Sequence, residues 1–251
     1  MNRRHFLKGL AGLAACPACA AVGVAQDKPQ WGYEGAHGPA HWGDLNADSK
    51  VCSIGSQQSP VDVGDTIRAQ LPPLRIAWAK KADMIVNNGH TIQVNFGEGS
   101  SLTVGNEQFT LVQFHFHRPS EHKLGGKSYP MEVHFVHRHA SGKLAVVGVL
   151  MTAGRANPSF NKVVATMPPK EGPAVPAGPG IDPNRFLPAR RTYFRYEGSL
   201  TTPACDETVN WLLLTQPMPA AEADIDAFAK LYANNARPVQ KLDRRFVLRS
   251  G

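Results

Sequence analysis

Phe109-Thr110-Leu111-Val112-Gln113-Phe114-His115-Phe116-His117 is the stretch whose reading decides both fold and chemistry. Side chains alternate across a strand, so it predicts an extended strand with Thr110, Val112, Phe114 and Phe116 on one face and Leu111, Gln113, His115 and His117 on the other. A His-x-His pair on one face can converge on a single ion. Two solvated histidines on a half-exposed strand would read the same, and a third ligand is needed to decide.

The candidates lie downstream in Glu132-Val133-His134-Phe135-Val136-His137-Arg138-His139. His134 points to one face, and His137 with His139 forms a second His-x-His pair on the other, so parity alone leaves the choice open. Glu132 favours His134, because it shares that face and can take the free ring N–H, as carboxylates behind metal-bound histidines do. Gln113 can serve His115 in the same way through its side-chain oxygen. His137 and His139 then read as structural or surface residues. Three histidines with no convergent acidic fourth ligand leave a tetrahedral zinc ion (Zn2+) one position open for water, the pattern of a catalytic site.

Around this stretch the chain from Asp62 to Leu150 breaks into short runs bounded by Gly, Asn, Pro and Ser. Thr91 to Phe96 alternates in polarity, while Lys143 to Met151 and Val209 to Leu214 are continuous apolar runs suited to buried strands. Only Asn157 to Met167 and Glu222 to Ala233 carry helical periodicity, and Pro168 to Pro188 is too rich in Pro and Gly to be regular. No repeat or linker divides the chain. These signals predict a mostly β, β-rich α+β fold with short helices, built as a single domain on a large, twisted, mainly antiparallel central sheet. At 42% hydrophobic and 19% charged residues, the composition is that of an ordinary globular protein. No basic block or aromatic-basic stripe argues for nucleic acid.

The N-terminus joins Arg3-Arg4 to an apolar, Ala/Gly-rich run from Gly9 to Ala25, which resembles a twin-arginine export signal. Residues 1–25 are therefore expected to be removed, leaving a domain over 26–251 in the periplasm. Setting Arg3, Arg4 and Lys8 aside lowers the net charge from +7 to about +4. Leu13-Ala14-Ala15-Cys16 also resembles a lipobox, and lipidation at Cys16 is the one route by which this chain would reach a membrane. Cleavage after Ala25 leaves Cys52 and Cys205 in an oxidising compartment, where a bridge is the default. Closing a loop of about 153 residues contributes at most about 5 kcal/mol.

Several motifs in a fixed order resemble the alpha carbonic anhydrases: Gln58-Ser59-Pro60-Val61-Asp62, Asn87-Asn88-Gly89-His90, Gln113 to His117, Ser120-Glu121-His122, Glu132 to His137, Gly198-Ser199-Leu200-Thr201-Thr202-Pro203, and Asn235-Ala236-Arg237-Pro238. The resemblance runs from Trp31-Gly32-Tyr33 onward. It implies a large twisted sheet with zinc in a conical cleft, and reversible hydration of carbon dioxide by zinc-bound hydroxide. Position by position it implies that His115, His117 and His134 hold zinc, and that Thr201 accepts the hydroxide proton while passing its own to Glu121. Thr202 would contact bicarbonate or an inhibitor. Val136, Val146, Leu200, Val209 and Trp211 would form a nonpolar substrate wall, and Tyr33, Asn88 and Gln93 would order water opposite. Gln93 is longer than the Asn commonest there. Ala204 replaces a usual second Pro, a change expected to loosen the Thr201 loop, and relatives with both cysteines bridge the positions of Cys52 and Cys205. Sulfonamides and anions are the expected inhibitors; the oligomeric state stays open.

His90 is the expected proton carrier. The resemblance implies a zinc-bound water of pKa about 7, the value known for carbonic anhydrase. Such a water releases its proton to bulk at only about 10³ per second if recombination runs at about 10¹⁰ M⁻¹s⁻¹. Histidine is the side chain whose ordinary pKa matches. His90 follows the turn signal Asn87-Asn88-Gly89 and opens the strand of Gln93, with His37 and His41 as the other candidates. Two further function classes compete: a non-catalytic binding module, which the intact His115, His117, His134, Glu121 and Thr201 argue against, and a zinc esterase, for which no acyl pocket is evident.

Overall fold

The computed structural model describes residues 30–251, so the expected export segment and Cys16 lie outside the described residues. The central strand runs Glu107–His117 and pairs antiparallel with Ile92–Asn95 on one side and Met131–His139 on the other. Met131–His139 continues antiparallel to Leu144–Ala153, whose apolar run is almost wholly buried. The next partner, Val209–Leu214, is buried throughout and lies parallel to it. Tyr193–Gly198, Leu248–Ser250 and Ile67–Ala69 extend that side, and Met84–Asn87 with Val175–Pro176 closes the other. Among the described residues, 13 strands form the sheet.

Most pairings are antiparallel, yet Leu144–Ala153 takes parallel partners in Val209–Leu214 and Met218–Ala220, and Leu248–Ser250 takes one in Ile67–Ala69. The sheet is therefore mixed, its antiparallel majority as expected and its three parallel pairings not foreseen. A parallel partner requires a long crossover, which no local turn signal announces.

A bulge corrects the expected parity of the opening stretch. The register against Met131–His139 slips between Leu111 and Gln113, leaving Val112 as the extra residue. Upstream of the slip the faces exchange: Phe109 and Leu111 join Phe114 and Phe116 in the main core, while Thr110 and Val112 are exposed. Only Gln113 to His117 keeps the simple alternation.

The core side of the sheet is covered by two helices. Pro158–Thr166 starts at Asn157, whose side chain accepts the Ser159 and Phe160 N–H groups, and buries Phe160 and Val163. Glu222–Ala229 buries Ile225 and Phe228 and stops short of the expected Ala233. The chain leaves the helix to bring Asn235 against the central strand, where it bonds Arg118, Phe116 and His90. The expected irregular segment from Pro168 to Pro188 contains only the bridge strand Val175–Pro176 and the short 3-10 turn Pro183–Phe186. Among the described residues no helix is long and apolar enough to cross a membrane.

The opposite face of the sheet carries a smaller apolar cluster, with Val146, Leu150, Tyr196, Val209, Trp211 and Leu213, beside a row of polar side chains. Cys52 and Cys205 are disulfide-bonded and pack with buried Trp42 in a third cluster.

Candidate metal centre

His115 and His117 stand two residues apart on the central strand, and cross-strand pairing sets His134 directly opposite His115. Gly148 lies opposite His134 on the next strand, where a Cβ would come within 2.9 Å of Leu213 and 3.1 Å of a Glu132 oxygen. A larger residue there would push into the support of His134.

Each ring has one committed nitrogen. His115 Nδ1 lies 2.8 Å from Gln113 Oε1, His117 Nδ1 lies 2.8 Å from the Asn235 carbonyl, and His134 Nε2 lies 2.9 Å from Glu132 Oε1. These acceptors assign the ring protons and leave His115 Nε2, His117 Nε2 and His134 Nδ1 without protons. The trio offers one nitrogen each, all within 4.8 Å of one another. His117 Nε2 is buried with no hydrogen-bond partner. A buried lone pair left unmatched is costly and rare, so this atom is suited to a cation. Burial holds His115 well below its ordinary pKa, His117 down to about 4, and His134 below the usual value. At neutral pH the three are neutral imidazoles, the form that ligates metal. The donor set and its buried, partnerless nitrogen fit zinc.

Behind the trio runs a buried chain of hydrogen bonds. Glu132 Oε1 also meets His122 Nδ1 at 2.7 Å, and Oε2 accepts the His122 backbone N–H at 2.9 Å. Burial alone would raise the Glu132 carboxyl, but the His122 and His134 rings hold it well below the ordinary range. His122 Nε2 lies 2.6 Å from the Tyr196 hydroxyl, which donates to Ser59 Oγ. Ser59 and Ser199 exchange backbone-to-hydroxyl bonds of 2.9 and 3.0 Å, and Trp211 donates to the Ser199 carbonyl. His122, Glu132 and His134 therefore form no second metal site: both rings meet Glu132, His122 Nε2 is taken by Tyr196, and the one nitrogen left, His134 Nδ1, belongs to the trio. The roles of His122, Tyr196 and Asn235 were not assigned from sequence, although the motifs holding His122 and Asn235 stood out; Tyr196 lay in none.

Glu121 is buried beside the trio, 3.5 Å from His117 Nδ1 and 3.9 Å from His134 Nδ1. Its Oε1 accepts the Arg237 backbone N–H at 2.9 Å, and Oε2 closes no hydrogen bond. Burial raises its pKa to about 7; His134 and the nearby Thr201 hydroxyl oppose the rise. Thr201 sits on a tied loop: Leu200 N–H donates to Asp206, Cys205 N–H donates to Thr202, and the disulfide anchors Cys205 to Cys52. The Ala204 position thus lies within a segment braced on both sides.

A cleft of about 260 Å³ opens on His115 and His134 of the trio, lined also by the polar Thr201 and Thr202 and the apolar Val136, Val146, Leu200 and Trp211. Val209 does not reach it. It is almost wholly buried, in the same cluster as Val146 and Trp211 of the wall. Tyr33, Asn88 and His90 line a separate outer cavity of about 870 Å³. Asn88 reaches Gln93 at 3.5 Å, and Gln93 turns its amide to Asn95 at 2.7 Å. The His90 ring is stacked on Trp31, with centroids 3.6 Å apart and planes 10° apart.

The sequence model of the family described as eukaryotic-type carbonic anhydrase matches residues 37–251. The chain belongs to the alpha carbonic anhydrase family. A carbonic anhydrase of Pectobacterium carotovorum is 39% identical over 244 residues, covering 96% of this chain and 100% of that protein. A Nostoc carbonic anhydrase is 40% identical over 257 residues, covering 99% and 97%. The structure is similar to that of the alpha carbonic anhydrase of Thermovibrio ammonificans in complex with the inhibitor sulfanilamide, with a TM-score of 0.86 and 43% identity over 88% of this chain and 99% of that one. Family, relatives and fold together support carbon dioxide hydration as the reaction.

Proposed function

We propose that the chain is a zinc enzyme that converts carbon dioxide and water reversibly to bicarbonate and a proton. The carrying observation is the trio His115, His117 and His134, each neutral with one ring nitrogen uncommitted, that of His117 buried without a partner. These three would hold the metal, while Gln113, the Asn235 carbonyl and Glu132 fix their tautomers and ring planes. When bound, zinc supplies the Lewis acidity that makes a nucleophile of water near neutral pH.

The chain's own residues do the rest. Thr201 accepts a hydrogen bond from the attacking water and directs its own hydroxyl to the free oxygen of Glu121, which aims the lone pair at the substrate. Val136, Val146, Leu200 and Trp211 present an apolar wall to an uncharged, linear gas. Thr202 and the Thr201 N–H bind bicarbonate, anions or a sulfonamide; the sulfanilamide complex of the Thermovibrio relative supports this. His90, half-buried at the outer cavity, carries the proton to solvent. Arg3-Arg4 and the Cys52–Cys205 bridge support export to the periplasm, an oxidising compartment.

The test is metal analysis combined with carbon dioxide hydration on the purified protein. One zinc per chain and sulfonamide-sensitive hydration are expected. Protein that binds no zinc, or that hydrates carbon dioxide no faster than buffer, would overturn the proposal.

A further inference from the structure

The cleft-facing row of Met131–His139 reads Glu132, His134, Val136, Arg138, so a full positive charge sits at the outer end of the wall that the metal trio begins. Arg138 lines the same cleft as His115, His134 and Thr201 and is the one residue with a permanent charge among its described lining residues. It is exposed. The exposed ion pairs among the described residues join Lys143 to Glu107, Arg185 to Asp182 and Arg195 to Glu197, and none engages Arg138. Its cross-strand neighbours are Leu144 and Thr110, and Val112, thrown outward by the bulge, lines the cleft as well. An arginine stem lies readily along such apolar surface while its head stays in water.

We infer that Arg138 forms an anion subsite at the cleft mouth, which takes the carboxylate end of an elongated ligand whose other end occupies the histidine trio. This rests on the zinc reading above for the inner end of the ligand. Four residues at about 3.3–3.4 Å each place Arg138 about 13 Å along the strand from His134, a span that an aromatic ring, its two substituents and the arginine side chain can bridge. The planar guanidinium matches a carboxylate with two parallel hydrogen bonds, which an ammonium would not. Carbon dioxide gains nothing from this charge. Bicarbonate and organic anions do, yet the reaction equilibrium fixes the ratio of kcat/KM in the two directions, so the subsite shows itself in anion affinity and not in a directional bias.

Two sulfonamides separate the subsite from the metal site: uncharged benzenesulfonamide and 4-sulfamoylbenzoate, which carries a carboxylate at the far end. Their affinities are measured by calorimetry on the zinc-loaded protein and on its Arg138→Gln and Arg138→Glu variants, at low and high salt. The carboxylate compound should lose about two- to five-fold in Arg138→Gln, the range of an exposed ion pair, and more in Arg138→Glu. Benzenesulfonamide should bind all three proteins alike. The difference should shrink at high salt. Equal affinity of the carboxylate compound for wild type and both variants would overturn the subsite, as would an equal loss for both compounds. Failure of benzenesulfonamide to bind wild type would instead sink the zinc reading and the subsite with it, and failure of the carboxylate compound alone would sink the subsite.

Discussion

His134 and His137 stand three residues apart on one strand, face opposite sides of the sheet, and have their ring nitrogens satisfied in opposite ways. His137 is buried in the core, accepts the Trp78 indole N–H at Nε2 over 3.0 Å, and sets Nδ1 3.3 Å from the Ala145 carbonyl. Nothing is left over. His134 spends one nitrogen on Glu132 and keeps the other facing the trio. Both rings are neutral at pH 7 through burial, so burial and pKa do not tell them apart. The count of uncommitted lone pairs does, and it separates a ligand from a structural histidine.

The largest expected effect tests that contrast directly. His134→Ala should lose stoichiometric zinc and bring activity near the uncatalysed background. His137→Ala should keep zinc while it is folded but melt at lower temperature, because it leaves the Trp78 N–H without an acceptor in the core, at about 1–3 kcal/mol before any cavity cost. Metal analysis and thermal melts check both, and zinc retained in His134→Ala but lost from folded His137→Ala would reverse the assignment.

On the ligand side, Thr201→Ala should keep zinc yet lower turnover by about 10²–10³, the usual cost of one preorganised polar contact. Unchanged kinetics would remove Thr201 from the mechanism. A smaller effect is expected further out. In dilute, non-transferring buffer, His90→Ala should hold turnover near about 10³ per second, with added imidazole restoring it. Desolvation lowers the His90 pKa and Glu171 raises it; Glu34, His37 and Tyr232 line the same cavity. Glu171→Gln should therefore move the buffer-limited pH profile to lower pH, and a shift upward or none would show that Glu171 does not act on His90.

The strands and the ligand face were legible where one local pattern decides them. Gln113 to His117 alternates, Leu144–Ala153 is apolar throughout, and Glu132 shares a face with His134. What escaped is non-local. The bulge at Val112 depends on the partner strand, and the parallel pairing of Leu144–Ala153 with Val209–Leu214 joins segments separated by a helix and a Pro-rich crossover. The His117 support comes from a backbone carbonyl at Asn235, 118 residues away, which no side-chain pattern can encode.

The last prediction turns the structural histidine into a measurable slope. Desolvation pushes His137 down to about 3 in the folded protein, against about 6.5 when unfolded. Between those values the unfolded chain holds one more proton at this site, so stability rises with pH across that window. The contribution is complete above about pH 6.5 and is lost as the pH falls toward 3, at about 1.4 kcal/mol per unit in the middle of the range. The ligand histidines have lowered values of their own and add to the total slope, so wild type alone does not isolate His137. His137→Gln does, because its amide oxygen can accept the Trp78 N–H where Nε2 did while carrying no titratable group. Denaturant unfolding of the metal-free forms between about pH 6 and 4.5 should show the variant less acid-sensitive than wild type by close to one proton. Parallel stability curves would mean that His137 takes up its proton without unfolding, and that burial does not keep it neutral.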